Sequence, residues 1–155
     1  MRLWHKDLIR YLPKQQLLGQ WREICCIAND WAMTRTPNHI LVNAVLNYPL
    51  TDFVTYCNMV YRELIFRNYR ITPQVLDRLN QNIRSIDRGR HSESVLKVGE
   101  THSFLYNDIF SEWHNDRYLL QCYFNLEEKH DRGGIPEDEW LRVDDYVSDR
   151  LEYLL

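Results

Sequence analysis

LPKQQLLGQWREICC, residues 12–26, is the stretch whose reading decides the fold. Its apolar side chains Leu17, Leu18, Trp21, Ile24 and Cys25 continue through Ala28 to Trp31, the i, i+1, i+4, i+7, i+8 spacing of an amphipathic helix. Pro13 suits the first turn, where a missing N–H costs nothing. At 100° per residue Gln16, Gln20 and Glu23 fall together opposite the apolar stripe, with Gln15, Gly19 and Arg22 on its flank. As pattern alone, this row of amides ending in a base and an acid describes a solvated surface face.

Outward from this helix the same period recurs. It should end before Thr36-Pro37, where Thr36 as N-cap and Pro37 in the first turn would open a second helix. That helix carries Ile40, Leu41, Ala44, Val45 and Leu46, stops at Tyr48-Pro49, and is apolar enough to be central. Leu50, Phe53, Val54, Cys57, Val60, Tyr61, Leu64 and Ile65 keep three-four spacing over four turns, with Asn68 as the stop. Thr72-Pro73 repeats the start signal ahead of Val75, Leu76, Leu79, Ile83 and Ile86. A further helix is expected over Ser111–His130, ended by Gly133-Gly134. The last starts near Pro136, with Glu137, Asp138 and Glu139 favourably placed against its N-terminal dipole. Between them, residues 87–101 lose the period and cluster Arg88, Arg90, His91 and Lys97, with Arg84 just ahead. This predicts an irregular basic loop able to contact a phosphate backbone or simply to connect two helices.

The expected fold class is therefore all-α: a single-domain bundle over residues 1–155 with about five to six helices. At 155 residues the chain can bury roughly two thirds of the surface its unfolded form exposes. Five glycines and five prolines are too few for a turn-rich sandwich. No apolar run approaches the ~18 residues that span a bilayer, and Arg2, His5, Lys6 and Asp7 interrupt any N-terminal signal core, so a cytoplasmic protein is expected. Cys25, Cys26, Cys57 and Cys122 form no CxxC pair and read as reduced thiols, Cys25 on the apolar stripe and Cys26 on its polar flank. His39, His91, His102 and His114 lack metal-ligand spacing, and no phosphate-cradling glycine motif occurs, so neither a metal nor another cofactor is expected.

The net charge of −3 conceals an asymmetry. Residues 1–100 hold 14 Lys/Arg against 9 Asp/Glu, and residues 101–155 hold 5 against 13. A basic face supplied by the first part would attract phosphates. The N-terminus adds an α-amine, whose ordinary pKa near ~7.7–8.0 leaves a usable fraction as neutral nucleophile at neutral pH.

The spacing Leu12, Gln15, Gln16, Leu17, Trp21, Arg22-Glu23 and Ile24 resembles the N-terminal helix of the pyrimidine-dimer DNA glycosylases of the phage endonuclease V type. So does Thr36 to Ile71, through its Asn68-Tyr69-Arg70-Ile71 ending, and the opening Met-Arg-Leu-Trp-His-Lys-Asp-Leu-Ile is similar to a bacterial branch of that family. The resemblance covers about the first half of the chain. It implies a DNA-repair glycosylase and abasic-site lyase acting on damaged double-stranded DNA, in which the terminal amine forms an imine with deoxyribose. It further implies that Glu23 assists ring opening and elimination, that Met1 or Arg2 owns the amine, and that Arg22, Gln15 and Gln16 contact DNA. His5, close to the terminus in sequence, is a separate DNA-contact candidate that would stand in for the histidine the family has at the place of Gln16. The match departs from the pattern at two places. Gln16 stands where the phage-type enzymes have a histidine, and Arg2 where they have a small residue that permits methionine removal. Retained Met1 would move the amine ~3.8 Å along the chain, which is large against catalytic tolerances. Trp4 and Trp21 are candidates to wedge a distorted duplex, with core packing the stronger explanation for Trp21. The alternative reading is a non-catalytic DNA- or protein-binding module on the same scaffold.

Overall fold

The three-four spacing does build helices. The computed structural model describes residues 2–34, 42–88, 97–100 and 108–153. Among them five α-helices form: α1 (Lys14–Thr34), α2 (Leu50–Phe66), α3 (Pro73–Arg88), α4 (Asp116–Asp131) and α5 (Glu137–Glu152). Short 3₁₀ turns occupy Lys6–Leu8 and Asn43–Asn47, and the described residues contain no strand. The fold is all-α, as expected. α1 packs against α2 and α3, and α4 against α5.

Buried apolar residues from all five helices join one cluster. α2 contributes Leu50, Phe53, Val54, Tyr56, Cys57, Val60 and Leu64, which makes it the central helix. α1 contributes Leu17, Trp21, Ile24, Ile27, Ala28 and Trp31. No helix among the described residues is long and apolar enough to cross a membrane.

Helix ends follow their local chemistry. α2 closes at Asn68, which takes the left-handed conformation (φ 63°) that asparagine tolerates better than most residues. The Tyr69 amide then reaches back to the Leu64 carbonyl at 2.9 Å. α4 closes the same way through Gly133 (φ 76°), with the Gly134 amide donating to the Lys129 carbonyl at 2.8 Å. The Asn115 side chain caps α4 by accepting the Tyr118 amide at 3.0 Å.

Two helix boundaries differ from expectation. α4 begins at Asp116 and not at Ser111, because Asp108 and Phe110 adopt positive φ (66° and 53°) and residues 109–113 form turns. Left-handed backbone at a phenylalanine costs on the order of 1–2 kcal/mol. Full burial of its ring and the bond from its amide to the Asp52 carboxylate (3.1 Å) offset that cost. The helix expected from Pro37 to Leu46 is also revised. Residues 35–41 lie outside the described set, and Asn43–Asn47 is a 3₁₀ turn. Tyr48 is extended (φ −117°, ψ 159°) because the following Pro49 disfavours helical backbone there. Of the basic loop expected over residues 87–101, residues 89–96 and 101 lie outside the described set, while residues 87 and 88 end α3. Lys97–Gly99 is laid along α2 and α3: the Asn80 side chain brackets Val98 (2.8 and 3.0 Å), and Asn58 joins the Lys97 carbonyl to the Gly99 amide (3.2 and 2.9 Å).

Ahead of the first helix, the apolar side chains of residues 2–12 join the core: Leu3, Leu8 and Leu12 are fully buried, and Trp4 and Ile9 nearly so. Burial of each such side chain contributes roughly 1.5–3 kcal/mol, enough to hold a segment with only one 3₁₀ turn of its own.

Candidate active site beside residue 2

An extended segment buried against helices needs partners for its backbone polar groups, because each unpaired group costs as much as a lost hydrogen bond. Here side chains from three helices supply them. From α1, Glu23 Oε2 accepts the Arg2 amide nitrogen's hydrogen at 2.9 Å. Gln20 Oε1 accepts the Trp4 amide at 2.7 Å, and Gln20 Nε2 donates to the Arg2 carbonyl at 3.1 Å. From α2, the Tyr56 hydroxyl lies 2.7 Å from the Trp4 carbonyl and 2.9 Å from Gln20 Oε1. From α4, the Tyr118 hydroxyl donates to the Leu3 carbonyl at 2.6 Å. The nitrogen of residue 2 is thereby fixed against the Glu23 carboxylate.

The α1 face that reads as a solvated row of amides is thus divided. Gln20 is only 1% exposed and serves the backbone of the N-terminal segment, whereas Glu23 is half-buried and Arg22 and Gln15 are exposed. Gln16 is half-buried, and its Oε1 has no hydrogen-bond partner among the described residues. Met1 lies outside the described residues.

Burial shifts the surrounding phenols. The Tyr56 hydroxyl is pushed well above its ordinary range by desolvation, and Tyr118 likewise, with Cys122 a smaller contribution. Both therefore stay protonated as donors. Cys25 is raised to about 11 by burial and by Cys26, which makes it a poor nucleophile.

His5 is fully buried, so its ring is withdrawn from any surface that could meet DNA. It stacks on His114 with centroids 5.2 Å apart. The Nδ1 atoms of the two rings accept backbone amides, from Asp7 to His5 (3.2 Å) and from Lys6 to His114 (3.0 Å). Each Nε2 is left buried and without a partner among the described residues. Burial lowers both pKa values, His114 to about 2 with His5 as a second cause, so both rings are neutral in the fold. In the unfolded chain they titrate near ~6.5. Their contribution to stability is complete above that pH and is lost as pH falls below it, since only the unfolded state then takes up protons. Urea unfolding should show stability falling below pH ~6.5 by about 1 kcal/mol per pH unit through His114, with His5 acting in the same direction. His114→Phe should flatten that slope, and an unchanged slope would exclude this origin.

Trp4 and Trp21, considered as wedges for a distorted duplex, are 7% and 8% exposed and belong to the core. The aromatic surface beside the site comes instead from α4 and the turn before it. A groove of about 660 Å³ runs from Arg2 past Trp113, Arg117 and Tyr118 to Phe124, with Asn115, Gln121 and Asn125 along it. The Arg2 guanidinium lies 5.7 Å from the Trp4 ring centroid, close enough for a cation–π contact. Sequence reading missed Gln20, Tyr56 and Tyr118. The one available signal was that Gln20 shares the helical phase of Glu23.

Among the described residues no group of three His, Cys, Asp or Glu side chains is placed to hold a metal ion, and His39, His91 and His102 lie outside them. What the arrangement offers is a carboxylate in contact with the nitrogen of residue 2, a neighbouring guanidinium, and a polar and aromatic groove. Comparison with known proteins adds that residues 1–77 match the family model described as pyrimidine dimer DNA glycosylase. No curated protein and no solved structure gives a significant match. Through residues 1–77 the chain belongs to the pyrimidine dimer DNA glycosylase family.

Proposed function

We propose that the protein is a DNA glycosylase and abasic-site lyase acting on damaged duplex DNA through an amine at the position of the residue 2 nitrogen, with Glu23 as its proton-handling partner. The observation that carries this reading is the 2.9 Å contact between that nitrogen and Glu23 Oε2.

The amine attacks deoxyribose C1′, the N-glycosidic bond breaks, and its electron pair leaves with the base. Protonation of O4′ opens the sugar and gives the imine; at a site already abasic, the same imine forms from the aldehyde with loss of water. Glu23 stabilises the cationic intermediate and then takes the C2′ proton, which expels the 3′ phosphate. Exposed Arg22, Gln15 and half-buried Gln16 hold the strand, joined by Arg2 and Arg117 of the adjoining groove.

The residue 2 nitrogen is an amine only in a chain that begins at Arg2. With Met1 in place, Glu23 contacts an amide, and this favours the second reading, a scaffold that binds distorted DNA without chemistry. Intact mass and borohydride trapping on an abasic duplex separate the two. A chain lacking Met1 that yields a covalent adduct, abolished by N-terminal acetylation, supports the lyase. A chain retaining Met1, with salt-sensitive duplex binding weakened by Arg22→Ala but no adduct or strand cleavage, establishes the binding module.

A further inference from the structure

A second groove, of about 840 Å³, lies between residues 6–11, the C-terminal half of α2 and α5, and shares no lining residue with the groove beside Arg2. Two guanidiniums fix the chain that forms one of its walls. Arg67, which closes the C-terminal end of α2, and Arg142 of α5 both donate to the Arg10 carbonyl (3.0 and 3.2 Å), and Arg67 also donates to the Leu12 carbonyl (2.8 Å). The chain at residues 10–12 is thereby pinned between the two helices, and Tyr11 is stacked on Tyr146 with centroids 4.2 Å apart and planes 11° from parallel.

The groove's chemistry is divided into cationic and flat apolar parts. Its two carboxylates are already engaged, Asp7 by Arg150 and Glu63 by Arg67. The exposed Arg10 guanidinium has no partner among the described residues, and exposed Arg142 commits one N–H to the Arg10 carbonyl. Against these charges stand Phe66, 81% exposed, and half-buried Met59. A phenylalanine so exposed beside guanidiniums is costly in water and useful to a ligand with a planar ring and an anionic end.

We propose that this groove binds a nucleoside monophosphate, its phosphate held by Arg10 and Arg142 and its base laid against Phe66, Met59 and the tyrosine pair. The volume falls within the roughly 300–1,000 Å³ of small-ligand sites. Guanidinium forks match phosphate geometry, and aromatic faces accept any base. Inorganic phosphate would leave the apolar wall uncovered. Duplex DNA keeps its bases stacked away from such a wall.

Titration of the full chain with 2′-deoxyadenosine 5′-monophosphate, followed by calorimetry and amide NMR shifts, tests the proposal. One saturable site is expected, at least tenfold tighter than for inorganic phosphate. Arg10→Ala should weaken both probes tenfold or more, whereas Phe66→Ala should weaken the nucleotide alone and Glu23→Gln neither. Both varied groove side chains are exposed, and thermal melting verifies that the variants fold. Binding no tighter than phosphate, or indifferent to both groove substitutions, overturns the proposal. Tenfold tighter binding of a single-stranded oligonucleotide than of the mononucleotide also overturns it and makes the groove a nucleic-acid surface.

Discussion

Glu23→Gln should lower the yield of borohydride-trapped adduct and the rate of abasic-strand cleavage by about 100-fold or more, the usual scale for loss of a general acid–base group. The substitution isolates chemistry from folding. Glutamine keeps a carbonyl oxygen able to accept the hydrogen bond that Glu23 Oε2 now takes from the nitrogen of residue 2. It cannot carry the charge that stabilises a cationic imine, nor take the C2′ proton. Duplex binding should change little, because the side chains proposed to hold the strand are untouched. Single-turnover cleavage within threefold of the parent would remove Glu23 from the mechanism. A parallel loss of melting temperature would show that the carboxylate acts on the fold.

Gln20→Leu should destabilise the fold by about 3 kcal/mol or more. Its amide serves the Trp4 amide, the Arg2 carbonyl and the Tyr56 hydroxyl from a position 1% exposed. Leucine would leave the first two unpaired inside the protein, at roughly 1–3 kcal/mol each. Tyr56 retains the Trp4 carbonyl as acceptor, so its loss is smaller. Urea unfolding measures the effect against Gln121→Leu on exposed α4 surface, where a change within about 0.5 kcal/mol is expected. A Gln20→Leu penalty below about 1 kcal/mol would mean that the N-terminal segment is not held by this amide. Because the same contacts position the nitrogen of residue 2, the variant should also lose the proposed lyase activity in proportion to the displaced segment.

Legibility in the sequence followed the range of the interactions. The core faces of α2 and α3 were readable because a helix interior is fixed by side chains three and four residues apart. The stop at Asn68 and the Gly133-Gly134 terminator were readable because each depends on one local backbone conformation. The α4 start was not, since it depends on the left-handed Phe110, tolerated through burial and a bond to Asp52 58 residues away. The pairing of His5 with His114 has the same character, with rings 109 positions apart stacked in the core.

By itself the sequence determined an all-α chain, the placement of Arg22 and Glu23 on one helix, and a resemblance carried by its first half. Only the tertiary structure decided what the other polar residues of that helix do. Helical phase places Gln16, Gln20 and Glu23 on one side but cannot say what covers it. Here the buried N-terminal segment covers Gln20 and brings its own backbone nitrogen to Glu23. At Gln20 a face that is polar in pattern became interior because an extended backbone without helix or sheet partners needs hydrogen bonds as much as its side chains need burial.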